Sequence, residues 1–241
     1  MKSTEYVISK IGSLPKGYVF TYADFSTEVN SKEAVIKTLN RLAKAGKIGK
    51  LAKGRFYKPE QSPFGELLPD ERQLVKDLLE KDGKIIGYLT GYNVYNRLGL
   101  STQVGNIIQI GRPNVRPATQ RGSYKIVFVR QKNTITKDNI PLLQILDAIK
   151  NIKKIPDAPV AQSCKRFVAI INELSAVNIN AIIKLALKYP PATRSLLGAS
   201  IDQSTSKIDT SVLLKSLNQI SSYKIGIGTN VLQYAQKWNI V

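Results

Sequence analysis

Apolar residues recur at helical spacing from the start of the chain, where Tyr6, Val7, Ile8 and Ile11 predict a helix over 3–12, with Ser3 able to cap it and Glu5 just inside. Gly12, Pro15 and Gly17 break it. A short second helix is expected from Thr21 to Ser26, with Thr21 as N-cap and Asp24 in the first turn, where a carboxylate complements the helix dipole. A third follows Ser31, its N-cap. Val35, Leu39 and Leu42 fall at i, i+4 and i+7, so one face is apolar, while Lys32, Glu33, Lys37, Asn40, Arg41 and Lys44 occupy the rest. Gly46 ends it. Residues 47–59 then read as a hairpin turning at Lys53-Gly54.

The stretch from Gln61 to Pro69, with Pro63 and Gly65, is the expected boundary between domains. Beyond it the pattern predicts a helix over 70–82 stopped by Gly83, a strand from Lys84 to Leu89, and a helix capped by Thr90 that runs to Leu98. Strands from Asn106 to Ile110 and from Tyr124 to Arg130 flank a loop containing Arg112-Pro113, Arg116-Pro117 and Arg121-Gly122, and a helix follows from Leu142 to Ile152. Helical periodicity then recurs over about 160–173, 177–188, 191–200, 209–221 and 230–238. The expected fold class is α+β. It comprises an N-terminal winged helix-turn-helix (1–60), a middle mixed α/β unit with a small sheet (66–158) and a C-terminal helical bundle (160–241).

Charge changes this picture more than composition does. The chain has 36 Lys and Arg against 17 Asp and Glu, a formal +19, spread as +7 over residues 1–60, +6 over 61–160 and +6 over 161–241. No acidic segment balances the basic ones, which points to a polyanionic partner, with mere solubility as the bland reading. One cysteine, Cys164, excludes an intramolecular disulfide and fits a reducing compartment, so a cytoplasmic location is expected. There is no leader-like apolar segment behind a basic start and no apolar run of membrane-spanning length, so no membrane partner is expected.

The absence of histidine removes the commonest general base and most zinc sites, and a single cysteine, read as a buried inert thiol, removes thiolate metal sites. There is no phosphate-cradling Gly-rich loop before a Lys-Ser/Thr pair. Gly226-Ile227-Gly228 reads as a turn, and pairs such as Asp70/Glu71 and Glu80/Asp82 are explained by helix capping. We therefore expect no catalytic residues, no metal and no cofactor.

The third helix offers better-formed chemistry. In a helix-turn-helix its polar face enters the major groove, so Ser31, Lys32, Glu33, Lys37, Asn40 and Arg41 are candidates for base or phosphate contacts and Lys44 for phosphate. A solvated amphipathic helix would also carry such a face. The hairpin tips the balance, since Lys47, Lys50, Lys53, Arg55 and Lys58 place five bases in twelve residues with no acid among them. Arg112, Arg116, Arg121 and Lys125 form a second basic cluster, which either extends a nucleic-acid footprint or is simply solvated.

Ser31, Ala34-Val35, Leu39, Arg41-Leu42, Gly46, Ile48, Gly54, Tyr57 and Pro59 together resemble the N-terminal domain of AbiEi-like antitoxins from type IV toxin-antitoxin, or abortive infection, systems. The likeness continues through Gly87-Tyr88-Leu89-Thr90-Gly91, residues 98–104, Leu142 to Lys150 with Ile155-Pro156-Asp157, and Tyr189-Pro190-Pro191-Ala192-Thr193-Arg194 with Leu196-Leu197-Gly198. It implies a non-catalytic protein whose winged helix represses its own promoter at inverted repeats in double-stranded DNA. The rest of the chain would counteract a co-encoded nucleotidyltransferase-like toxin, with or without a stable complex. Three alternatives stay open: a transcriptional regulator that is not an antitoxin, a nucleic-acid-processing enzyme that docks through the winged helix, and a pure interaction module whose N-terminal domain holds a protein partner, the +19 then serving solubility.

Overall fold

A computed structural model describes residues 3–25 and 31–241. Contacts divide the chain into two compact units, Met1–Asp77 with Thr119–Tyr124, and Leu78–Ala118 with Lys125–Val241. Three segments were expected. The C-terminal helices have no core of their own, because one apolar cluster runs continuously from Tyr88 to Ile240.

In the first unit, α1 (Ser3–Ser13) is followed by β1 (Val19–Thr21) and a 3-10 turn, Tyr22–Phe25. The expected helix from Thr21 is thus a single tight turn after a strand, and Ser26 and the side chain of Ser3 lie outside the described residues. Thr21 does cap it: Ala23 N donates to Thr21 Oγ1, and Asp24 accepts from both Thr21 N and its hydroxyl. The second helix, α2 (Lys32–Lys44), starts where Ser31 Oγ accepts from Ala34 N, and buries Val35, Leu39 and Leu42 as their spacing requires. They meet Val7 and Ile11 of α1, Phe20, Phe25, Ile48 and Phe56 in one core. Phe20 packs edge-on against Phe25 and stacks with Phe56.

The basic hairpin is β2 (Gly49–Ala52) and β3 (Arg55–Tyr57), and the sheet order is β1-β3-β2, all antiparallel. Gly49 lies against the ring of Tyr57, where a Cβ would come within 2.0 Å of Cζ, so only glycine fits. The segment expected as a linker instead forms a second hairpin, β4 (Glu60–Ser62) and β5 (Gly65–Leu67), tied back by Tyr57 Oη donating to Glu66. Burial beside that carboxylate pushes the Tyr57 phenol up to about 12. Asp70 then caps α3 (Glu71–Leu79), which ends earlier than expected: Asp82 and Gly83 turn the chain into the small hairpin of β6 (Glu80–Lys81) and β7 (Lys84–Ile85).

In the second unit the expected strand 84–89 is broken at Ile86-Gly87, and β8 (Tyr88–Thr90) pairs antiparallel with β9 (Ile107–Arg112). Thr90 does not cap the next helix. Gly91 holds that position before α4 (Tyr92–Arg97), and the Thr90 hydroxyl turns inward instead. Of the remaining strands, β10 (Thr119–Arg121) counts with the first unit, and β11 (Tyr124–Arg130) runs parallel to β9 from Lys125 onward. Against the sheet lies α5 (Ile140–Lys150), buried from Leu142 through Ile149. Around it stand α6 (Val160–Asn172), α7 (Ala176–Ala186), α8 (Pro191–Gln203) and α9 (Ser211–Lys215), followed by a 3-10 turn at Gln236–Trp238. The last two expected helices are therefore much shorter than their periodicity, because Leu217 to Ile240 packs as irregular chain around Trp238.

Gly198 of α8 is covered by the fully buried Trp238 ring, and a Cβ there would lie 2.1 Å from Cη2. Gly198→Ala is expected to destabilise the second unit by roughly 1–3 kcal/mol through overpacking, against a Gly→Ala helix gain below about 1 kcal/mol. Urea denaturation followed by the fluorescence of Trp238, the chain's one tryptophan, reads this directly.

Candidate nucleic-acid interface

Helix α2 sets its apolar face into the core, and its other face is open to solvent. Ser31, Lys32, Glu33, Lys37, Asn40, Arg41 and Lys44 are all exposed, and Ile36 stands among them at 36% exposure. Lys32 Nζ lies 4.6 Å from the Tyr22 ring centroid, which steadies its stem. Asn40 Nδ2 donates to Ile36 O, so its amide folds onto its own helix until something competes for it. On the hairpin, Lys47, Lys50 and Lys53 are exposed as well. Seven cations on two adjoining elements of one unit thus face water, with Glu33 as their one acidic neighbour in this stretch.

Two of the expected hairpin contacts are engaged elsewhere. Lys58 Nζ donates to Gly12 O and Leu14 O, closing the carbonyl end of α1 as a cation does well at a helix C-terminus. Arg55 pairs with Asp77 at 2.6 Å. The same carboxylate accepts both terminal nitrogens of Arg121, whose Nη1 also reaches Leu74 O. Burial alone would raise the Asp77 pKa, but the two guanidiniums hold it below the ordinary aspartate value.

This corrects the second basic cluster. Arg116 and Lys125 are exposed, but Arg121 is buried on Asp77 and Arg112 is buried in the second unit. They do not form one solvent-facing patch. Alternation along β9 sets Arg112 on the same buried side as Ile108 and Ile110. Asp77 with the Leu74 carbonyl draws Arg121 inward although Thr119 and Gln120 of its strand are exposed, and a count of charges along a loop registers neither.

The second unit is organised by a carboxylate that charge counting passed over. Asp147, 4% exposed on α5, accepts from Tyr88 Oη and Thr90 Oγ1 at 2.8 and 2.9 Å on one oxygen and from Tyr189 Oη at 2.8 Å on the other. Gln131 Nε2 donates to both tyrosine oxygens, and Gln131 Oε1 accepts from Asn133. The hydroxyl and Gln131 donors of this network lead to Asp147, while Asn133 Nδ2 also donates outward to Leu185 O. Burial pushes its pKa up, the three hydroxyl donors and Lys150 pull it down, and the balance lies above the ordinary value. A visible cue was a lone acid in the apolar run Leu142 to Ile149. Three segments quoted for the family resemblance, around Tyr88-Thr90, Asp147 and Tyr189, meet here.

Cys164 is fully buried and its thiol is pushed up to about 12, an unreactive setting. Among the described residues no group of three or more Cys, Asp or Glu is gathered as a metal site requires, and no helix is long and apolar enough to cross a membrane.

The model of the "Family of unknown function (DUF6088)" matches residues 6–179. No curated protein matches the chain significantly. The crystal structure of RV2827C protein from Mycobacterium tuberculosis is similar over 99% of this chain and 90% of that one, with a TM-score of 0.64 at 13% sequence identity, a likeness of fold alone.

Asp77→Asn is expected to cost about 1–3 kcal/mol, less than a fully buried pair because the carboxylate is partly exposed. Its lowered folded pKa contributes stability present above about 3.9, the unfolded value, and lost as the pH falls through the folded one, so the variant should lose that acid-side dependence. Asp147→Asn faces an amide donor against hydroxyl donors, for an expected loss of about 1–3 kcal/mol. Its sign is opposite: with a raised folded pKa, the contribution is full below the unfolded value and is lost as the pH rises through the folded one. Urea titrations of parent and variants from strongly acidic pH, below the unfolded aspartate value, up to neutral pH check both.

Proposed function

The chain belongs to DUF6088, a family of unknown function, and from that premise we propose that it is a sequence-specific DNA-binding antitoxin that represses its own operon. One observation carries the reading: Lys32, Lys37, Arg41, Lys44, Lys47, Lys50 and Lys53 stand exposed on α2 and the hairpin that follows it. We read α1, the turn at Tyr22–Phe25, α2 and the β2–β3 hairpin as a winged helix-turn-helix, with α2 as recognition helix and the hairpin as wing. The buried face of α2 anchors it on Val7 and Phe56, so its opposite face is free to enter a major groove. Lys37 and Arg41, one helical turn apart, then reach guanine acceptors or phosphates, Glu33 accepts from cytosine, and Asn40 leaves Ile36 O to pair with adenine.

The partner on this reading is double-stranded DNA at inverted repeats of the chain's own promoter, and the protein acts by binding, without a catalytic step or cofactor, in the cytoplasm. The remainder of the chain counteracts a co-encoded nucleotidyltransferase-like toxin, as the resemblance to AbiEi-like antitoxins implies. Arg55 and Lys58, although on the wing, support it from within and do not touch DNA.

Lys37→Ala with Arg41→Ala is expected to weaken binding to the upstream DNA by ten- to a hundredfold or more, at about 1–3 kcal/mol per base contact, while toxin neutralisation on co-expression is retained. Lys58→Ala should lower the melting temperature and leave base preference alone. If all seven exposed cations meet phosphate, log affinity falls with log salt at a slope of about −6 per protomer, an upper bound. Gel shifts at graded salt read the DNA affinities and thermal denaturation the melting temperature, and undiminished binding by the double variant overturns the assignment of α2.

A further inference from the structure

Arg112, the last residue of β9, is 6% exposed, and among the described residues its Nε and Nη1 have no hydrogen-bond partner. Its guanidinium carbon lies 5.9 Å from the Phe128 ring centroid, and among the described residues no carboxylate lies within ion-pair distance of it. Arg130 is its register partner on β11, so the ladder sets a second cation beside it. Burial lowers the Arg112 pKa, with the charge of Arg116 adding to the effect, yet a guanidinium stays protonated in any ordinary setting. A buried charge without counter-ion or acceptor is costly, and such groups are normally paired.

Arg112 lines a cleft of about 420 Å³ within the second unit. Asn114, Lys132 and Thr134 supply its polar wall, Ile85 and Ile135 an apolar one, and no acid borders it. A neighbouring cleft of about 590 Å³ shares Gln131 and Lys132, adds Arg130, Lys150 and Lys188, and is also free of acids. Both volumes suit a small organic ligand.

We propose that the Arg112 cleft binds a small phosphate-bearing anion of nucleotide size, its phosphoryl oxygens on the Arg112 guanidinium and the Lys132 ammonium and its apolar part against Ile85 and Ile135. Phosphate suits the pair because a guanidinium meets two of its oxygens side by side while an ammonium adds a point charge. A small ligand suits the placement: duplex phosphates are met by cations standing out from a surface, as on α2, whereas Arg112 lies beneath it. This goes beyond the DNA-binding reading and does not depend on it.

The full chain is tested by thermal shift and calorimetry with inorganic phosphate, pyrophosphate, AMP and ATP, with acetate at matched ionic strength as control. The expected result is saturable binding by at least one phosphate compound. Affinity should drop about ten- to a hundredfold in Arg112→Met and in Lys132→Ala, the loss of a charged hydrogen bond, and be retained in Lys224→Ala. Arg112→Met should melt no lower than the parent, since an apolar side chain replaces an unpaired charge. If that variant fails to fold, Lys132→Ala, changed at an exposed position, carries the test. Absence of saturable binding by every phosphate probe, equal binding by acetate, or affinity unchanged in Lys132→Ala overturns the proposal. Dependence on these residues for an oligonucleotide but for no mononucleotide overturns it equally.

Discussion

The Asp77 carboxylate accepts two arginines, Arg55 from the hairpin and Arg121 from β10, and this sharing decides which cations of the first unit are structural. In a chain with 36 cations and 17 acids, carboxylates are the scarce partner. A cation that finds one can turn inward, since its charge is met there; a cation that finds none is driven to water, where solvation is cheaper than burial. The exposed face of α2 and the outer lysines of the hairpin follow from that rule as much as from any groove they are suited to enter. Arg55 and Lys58 show the other outcome: one meets an acid and the other a carbonyl cluster at a helix end, and neither is free.

The same scarcity shapes the second unit differently. Asp147 is buried without a cation in direct contact, and its charge is met by three hydroxyls, of which the two tyrosine oxygens accept in turn from Gln131. Reversing any one member leaves a donor facing a donor, so the network specifies a single arrangement of β8, α5 and the start of α8 where apolar packing alone tolerates several. Thr90 illustrates the cost of reading locally. Its position before a helix suited a cap, but the buried carboxylate of Asp147, on α5 packed against β8, makes the stronger claim on its hydroxyl.

Much of the architecture was legible because it is periodic. The spacing of Val35, Leu39 and Leu42 located α2 and its buried face, Ser31 its start, and Lys53-Gly54 the hairpin turn; β11 runs from Tyr124 to Arg130 as its β-branched and aromatic run suggests. What periodicity missed is tertiary. The 61–69 segment reads as a linker because Pro63 and Gly65 favour a turn, and the turn is there, but inside a hairpin held by Tyr57 and Glu66. The helices expected over 209–221 and 230–238 are cut short where Trp238 takes over the packing. The exposed half of the candidate interface was visible in the same way, whereas the Tyr88, Gln131, Asp147 and Tyr189 network joins residues 42 to 59 positions apart, which no local pattern connects.

Arg112 and Arg121 make the limit of local reading concrete. Both close a short strand, both are followed by a turn residue, and both are nearly buried. Around Arg121 the fold delivers Asp77 and the Leu74 carbonyl; around Arg112 it delivers the face of Phe128, a second arginine in register and an acid-free cleft. Equal sequence contexts thus end in opposite electrostatic states, one neutralised within the fold and one left uncompensated. An uncompensated buried charge is maintained at a cost to folding. Arg121, Arg55 and Lys58 each meet an acceptor within the fold, whereas for Arg112 that cost has a natural counterpart in a ligand that brings its own negative charge.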